Sequence, residues 1–98
     1  MASALQTNQI EEHLSKLSGW TLTQNGKRIR KDWQVSNFLA GLEFFQRVAV
    51  VAEEMEHHPD LHIENYKDVG IEIWTHTVDG LTESDFALAA KIDELKVS

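Results

Sequence analysis

Apolar positions along this chain switch between helical and strand spacing, and the switches mark out its elements. Ile10, Leu14 and Leu17 recur at intervals of three and four, which places them on one face of a short helix. Asn8-Gln9-Ile10-Glu11 has capping-box spacing for its start, and Gly19 supplies its stop. Residues 20–24 then alternate apolar with polar, and Asn25-Gly26 is a dipeptide favoured in tight hairpin turns. Ile29, Trp33 and Val35 share one face beyond that turn, so the segment predicts two antiparallel strands. Ser36 is the expected N-cap of the longest helix, which carries two apolar stripes. Phe38, Leu42, Phe45, Ala49 and Ala52 form one stripe, and Phe44, Val48, Val51 and Met55 form the other. A helix apolar over more than half its circumference has more to bury than one sheet can cover, so the second stripe is expected to meet a partner subunit.

Pro59 disfavours α conformation at His58 and ends this helix there. Residues 61–66 and 69–78 read as two further strands, with the turn near Lys67-Asp68. In the second of them Val69, Ile71, Ile73 and Thr75 face one way, and Glu72, Trp74 and His76 the other. Gly80 breaks the strand, and Thr82-Glu83-Ser84-Asp85 is a second capping box, opening a helix with Phe86, Ala89, Ala90, Ile92 and Leu95. The order α-β-β-α-β-β-α with hairpin connections predicts an α+β fold: a four-stranded antiparallel sheet with three helices packed on one face. Residues 1–98 are expected to form a single domain, with no internal repeat, linker or low-complexity stretch.

Composition narrows the partners. Sixteen acidic residues against nine basic ones give a formal charge of −7, which repels a phosphate backbone. The one basic cluster, Lys27-Arg28-Ile29-Arg30-Lys31, alternates around Ile29 like the solvent face of a strand, so direct nucleic-acid binding is not expected. The acidity also favours an uncharged small molecule over a phosphorylated one. There is no cysteine, hence no disulfide or thiolate site. Residues 1–9 have neither the basic run nor the apolar core of a leader, and no stretch has the roughly 20 apolar residues of a membrane span. The expectation is a soluble cytoplasmic protein, with the nucleus also open to it.

The chemistry concentrates in Glu56-His57-His58-Pro59-Asp60, answered later by Thr75-His76. Imidazole, with an unperturbed pKa of about 6.5, can give or take a proton near neutral pH, so this set points to acid/base catalysis at a helix end. A metal site built from His57, His58, His62 and His76 is the competing reading. Adjacent histidines rarely both face one ion, and alternation sets His62 apart, so no metal is expected. His13 beside the first apolar stripe reads as a surface residue.

These residues, taken together with Glu53-Glu54-Met55 before them, Tyr66, the strand from Val69 to His76, Gly80-Leu81-Thr82-Glu83-Ser84-Asp85 and Gly19-Trp20, resemble the pterin-4a-carbinolamine dehydratase family. That family is also known as the dimerisation cofactor of a homeodomain transcription factor. The resemblance implies an active site of His57, His58 and His76, with Glu53, Glu56, Thr75 and Asp85 at or beside the substrate. The implied reaction removes water from a 4a-hydroxytetrahydropterin, giving a quinonoid dihydropterin that is reduced and reused after aromatic amino-acid hydroxylation. It calls for two proton transfers, expected of His57 and His76 with His58 orienting the pterin, and for no cofactor. Asp85 has a second reading as the capping partner of Thr82, and Glu53 as a solvated helix-end charge. The resemblance further implies a homodimer or homotetramer, and it allows an alternative function as a binding module that stabilises a transcription-factor dimer through its helical surface. One departure stands out: the segment between Pro59 and Tyr66 is a residue longer than in animal members, and a tryptophan found there has no counterpart among Leu61, His62 and Ile63.

Overall fold

A computed structural model describes residues 3–98. Helix α1 spans Thr7–Ser15. Its capping box is formed two residues earlier than the Asn8 spacing suggests: Gln6 is the N-cap, and its amide donates to Gln9 Oε1 at 2.9 Å. Leu5 just before it donates to the Leu81 carbonyl at 2.7 Å, a tertiary tie that fixes where the helix can begin. Strands β1 (Thr21–Thr23) and β2 (Arg28–Gln34) form the expected hairpin. Its loop is four residues long, because Gln24, Asn25 and Gly26 all take positive φ.

Helix α2 runs over Phe38–Met55 from Asn37, whose side chain accepts from the Ala40 amide at 2.8 Å. Asn37 rather than Ser36 is therefore the cap; the Ser36 amide is engaged with the Ser98 carbonyl. The helix lies close on the sheet at Gly41, where a Cβ would come within 3.2 Å of Val69 Cγ1. Phe44 and Val48 are completely buried within the chain. The stripe expected to meet a partner is thus the one that covers the sheet, while Phe38, Leu39, Leu42 and Val50 point outward. Spacing defines two stripes but not which of them faces in; the close approach at Gly41 decides that.

Strands β3 (Asp60–Glu64) and β4 (Asp68–Ile73) are joined by a turn at residues 65–67, earlier than expected, with Asn65 and Tyr66 left-handed. Tyr66 consequently belongs to the turn. All pairings are antiparallel, in the order β1-β2-β4-β3. One sheet face carries Ile29, Val69, Ile71 and Ile73 into the core under the helices, joined there by Trp20, Trp33 and Phe44 in edge-on aromatic contacts. The other face is polar, and on it Glu72 is buried beneath Thr23 and Arg28.

Strand β4 stops at Ile73 rather than continuing to residue 78. Thr75 and Gly80 pair across a small closed loop that contains the 3₁₀ turn η1, His76–Val78. Helix α3 (Glu83–Asp93) follows directly and packs its Phe86, Leu88, Ala89 and Ile92 into the core. Among the described residues no helix is long and apolar enough to cross a membrane.

Candidate active site

The site forms where α2 stops. The Glu56 amide bonds to the Glu53 carbonyl and the His57 amide to the Ala52 carbonyl, the paired pattern of a Schellman end. Such an end places its C′ residue in the left-handed region, which glycine occupies without penalty. Here the residue is Glu56, at φ 52°. The reversal turns His57 inward and His58 outward, so adjacent residues acquire different environments.

His57 packs inward with its Nε2 2.5 Å from Oδ1 of Asp85. Asp85 lies in the first turn of α3 and its side chain is entirely buried. Its other oxygen accepts from the Thr75 hydroxyl and the Thr82 amide, both at 2.8 Å. The Thr75 hydroxyl also lies 2.8 Å from that of Thr82. Since Thr75 gives its one proton to Asp85, Thr82 must donate to Thr75, and the chain of bonds has a fixed direction. A carboxylate can only accept, so Nε2 of His57 carries hydrogen, and Nδ1 is the nitrogen left free in the neutral ring.

His58 and Glu53 are hydrogen-bonded to each other in a largely exposed pair beside this position. His76 stands across from them at the start of η1. Its ring lies on Trp74, with centroids 4.3 Å apart and planes 14° from parallel, and the guanidinium carbon of Arg28 sits 3.7 Å from the Trp74 ring centre. Glu56, His57, His58, Trp74, Thr75 and His76, with Thr77, line one open hollow of about 260 Å³. Residues about twenty positions apart are thus assembled by the end of α2 and the loop after β4.

The chain matches the family model described as Pterin 4 alpha carbinolamine dehydratase over residues 3–95. It is 48% identical over 96 residues to Pterin-4-alpha-carbinolamine dehydratase 2, mitochondrial, of Arabidopsis thaliana, spanning 96% of this chain and 51% of that protein. It is 42% identical over 95 residues to a putative pterin-4-alpha-carbinolamine dehydratase of Roseiflexus, spanning 97% of this chain and 99% of that one. The chain belongs to the pterin-4a-carbinolamine dehydratase family. A crystal structure of a transcriptional coactivator/pterin dehydratase from Brucella melitensis superposes with a TM-score of 0.85 at 27% identity, over 93% of this chain and 96% of that one. The chain thus spans about half the length of its Arabidopsis relative and nearly all of the Roseiflexus and Brucella proteins.

Within this pterin dehydratase fold, His57, His58, His76, Glu56 and Thr75 share the hollow, while Asp85 stands behind His57 and Glu53 behind His58. Asp85 is both capping residue and partner of a site histidine, so its two readings are one arrangement. Sequence reasoning misses two of the lining residues, Thr77 and, against the ring of His76, Trp74. Strand alternation puts Trp74 on the same face as His76, which is the available signal, and it brings a tryptophan to the hollow from the end of β4 instead of from the segment after Pro59. The one cluster of metal-ligand type among the described residues is Asp60, His62 and Glu72. It excludes His57, His58 and His76, and both oxygens of Glu72 are already bonded, to Thr23 and to Arg28.

Proposed function

We propose that this chain dehydrates a 4a-hydroxytetrahydropterin by histidine acid/base catalysis. The observation that carries the reading is the convergence of His57, His58 and His76 on one hollow, with a buried carboxylate behind His57. The C4a hydroxyl takes a proton and leaves as water. The N5 lone pair forms the C4a=N5 bond, and the N5 proton passes to a base. Two imidazoles flanking C4a and N5 divide these tasks, and each such proton transfer is worth roughly 10²- to 10⁴-fold. His57 and His76 are the proton-transfer pair. His58 orients the pterin and is itself held by Glu53, while Glu56 offers an acceptor to the pterin N–H groups. The product re-enters the cycle of reduction and reuse that supports aromatic hydroxylation, in the cytoplasm.

The test is stopped-flow absorbance with freshly generated substrate, with and without a chelator. Product formation well above the spontaneous rate and insensitive to the chelator is the expected outcome. A rate equal to the spontaneous one overturns the proposal, and so does loss of activity on chelation with recovery on adding zinc.

The same reading includes self-association. Phe38, Leu39, Leu42 and Val50 leave the outer side of α2 apolar, and Leu61 extends that surface onto the edge strand β3. Burying such side chains is worth about 1.5 to 3 kcal/mol each, which favours a homodimer or homotetramer. A transcription-factor partner, suggested by the coactivator description of the Brucella protein, would compete for that surface and leave the hollow free.

A further inference from the structure

From the stacked side chains beside the hollow we infer that Arg28, Trp74 and His76 act as a unit, in which Trp74 is the positioning residue that holds the His76 imidazole at its working angle and Arg28 clamps Trp74 from the far side. The inference rests on His76 being a proton-transfer group. Trp74 lines the hollow, and an aromatic wall would ordinarily be assigned to stacking against the flat pterin. Both of its faces are taken, since a parallel ring and a guanidinium within 4.3 Å of one ring centre would collide on a single face. The imidazole of His76 lies nearly parallel to the indole at 4.3 Å, and the Arg28 guanidinium sits 3.7 Å from the indole centre. An indole covered on both sides presents only its edge to a ligand, so its contribution passes through His76.

The far end of the stack is anchored as firmly as the near end is exposed. Arg28 Nη1 donates to Glu72 at 3.1 Å, and Glu72 accepts from the Thr23 hydroxyl at 2.6 Å. Glu72 belongs to β4 and is buried, and Thr23 belongs to β1. His76 has no such tether: it is exposed, it opens a three-residue 3₁₀ turn, and no side-chain hydrogen bond holds its ring among the described residues. Where His57 is oriented by Asp85, His76 is oriented by an aromatic face. The polar side of the sheet thereby supports the reaction centre, through a buried Glu72 bonded to a half-buried Arg28.

A stacked aromatic pair shifts a conformational population by roughly two- to twelvefold, and an exposed cation–π contact by roughly two- to fivefold. Trp74→Ala should therefore lower kcat by a factor in the first range with KM nearly unchanged, and Trp74→Phe should restore most of the loss. Arg28→Gln, which removes the cation from the indole while its amide can still donate to Glu72, should lower kcat by a factor in the second range. It should have little further effect once Trp74 is alanine. In NMR spectra of the intact protein, the His76 ring protons should lie upfield from the indole ring current and move downfield in Trp74→Ala. His76→Ala is the separating arm. If it keeps full turnover, the assignment of His76 fails and the inference with it. If it loses turnover while Trp74→Ala keeps wild-type kcat, the inference alone is overturned. A Trp74→Ala variant altered only in KM would make Trp74 a substrate contact and overturn it as well. Should Trp74→Ala fail to fold, unshifted His76 ring protons in the wild-type protein would overturn the inference by themselves.

Discussion

Replacing Asp85 by asparagine keeps the side chain's shape and reverses what it can offer His57. Two donors, the Thr75 hydroxyl and the Thr82 amide, converge on one carboxylate oxygen at 2.8 Å each, so the asparagine carbonyl must occupy that place. Its NH₂ group then faces His57, whose Nε2 has to accept. The ring is driven to the opposite tautomer, with hydrogen on Nδ1, and the free nitrogen that could take a proton is lost. A general acid or base is worth roughly 10²- to 10⁴-fold, so kcat should fall by about 10²-fold or more while KM changes little. Stability should change far less, because the cap of α3 is kept. A charge-assisted bond of about 1.5 to 3 kcal/mol gives way to a neutral one of about 0.5 to 1.5, a net loss of about 1 kcal/mol. For a domain this size that lowers the melting temperature by about 4 to 8 °C. Asp85→Ala is the contrast: it strands three donors, the Thr75 hydroxyl, the Thr82 amide and His57 Nε2, around a fully buried position, at about 1 to 3 kcal/mol each, and should compromise folding itself. Stopped-flow turnover, thermal melts and ¹⁵N shifts of the His57 ring separate these effects. An asparagine variant that turns over within threefold of wild type refutes the argument. So does one that loses turnover while His57 keeps its hydrogen on Nε2.

Other perturbations probe separate parts of the molecule. Burial pushes the Glu72 carboxyl upward, but the Thr23 hydrogen bond and Arg28 outweigh it and hold the group below its ordinary value of 4.5. Its stabilising contribution is therefore complete above pH 4.5 and is lost as pH falls through the lower, folded-state value; Glu72→Gln should melt below wild type at pH 7, with the gap closing in acid, and a gap constant with pH would refute this. Glu56→Gly removes a non-glycine left-handed residue that costs about 1 to 2 kcal/mol, partly offset by about 0.5 to 1 kcal/mol of added chain entropy, so its melting temperature should equal or exceed that of wild type; a lower one would mean that the Glu56 side chain stabilises the helix end. Leu42→Glu should shift sedimentation toward smaller folded species, whereas Val48→Glu, placing a charge in the core, should lose the circular dichroism signal of the folded chain; the reverse pattern would restore the inner stripe as the contact surface.

The sequence made the elements legible because periodicity is a local property. Ile10 and Leu14, the alternation from Val69 to Ile73, and the Thr82–Asp85 box each announce their state within a few residues. The misplacements have two causes. At Leu5, tied to Leu81, and at the Ser36 amide, taken by Ser98, the end of a helix is set by a contact distant in sequence, which the neighbours do not show. The early end of β4 at the Thr75–Gly80 loop and the turn at Asn65-Tyr66 are local, but they depend on left-handed or bridging backbone that apolar spacing does not register. The choice between the stripes of α2 is of the first kind, since it turns on Gly41 meeting Val69.

The site follows the same division. The histidine pair and Thr75-His76 stand out by residue type, but what distinguishes three similar imidazoles is their surroundings. His57 meets a buried carboxylate, His58 an exposed one, and His76 an indole. These differences come from where elements end: the left-handed Glu56 separates two adjacent rings, and the early stop of β4 lets His76 fold back over Trp74. Asp85 shows how economical the result is. The bond that closes the first turn of α3 also fixes the carboxylate that orients His57, so the helix cannot be capped in this way without also setting the tautomer of the ring. Fold and chemistry therefore share a residue at the point where a sequence reading has to offer two alternatives, and a substitution there tests both at once only if stability and turnover are measured on the same variant.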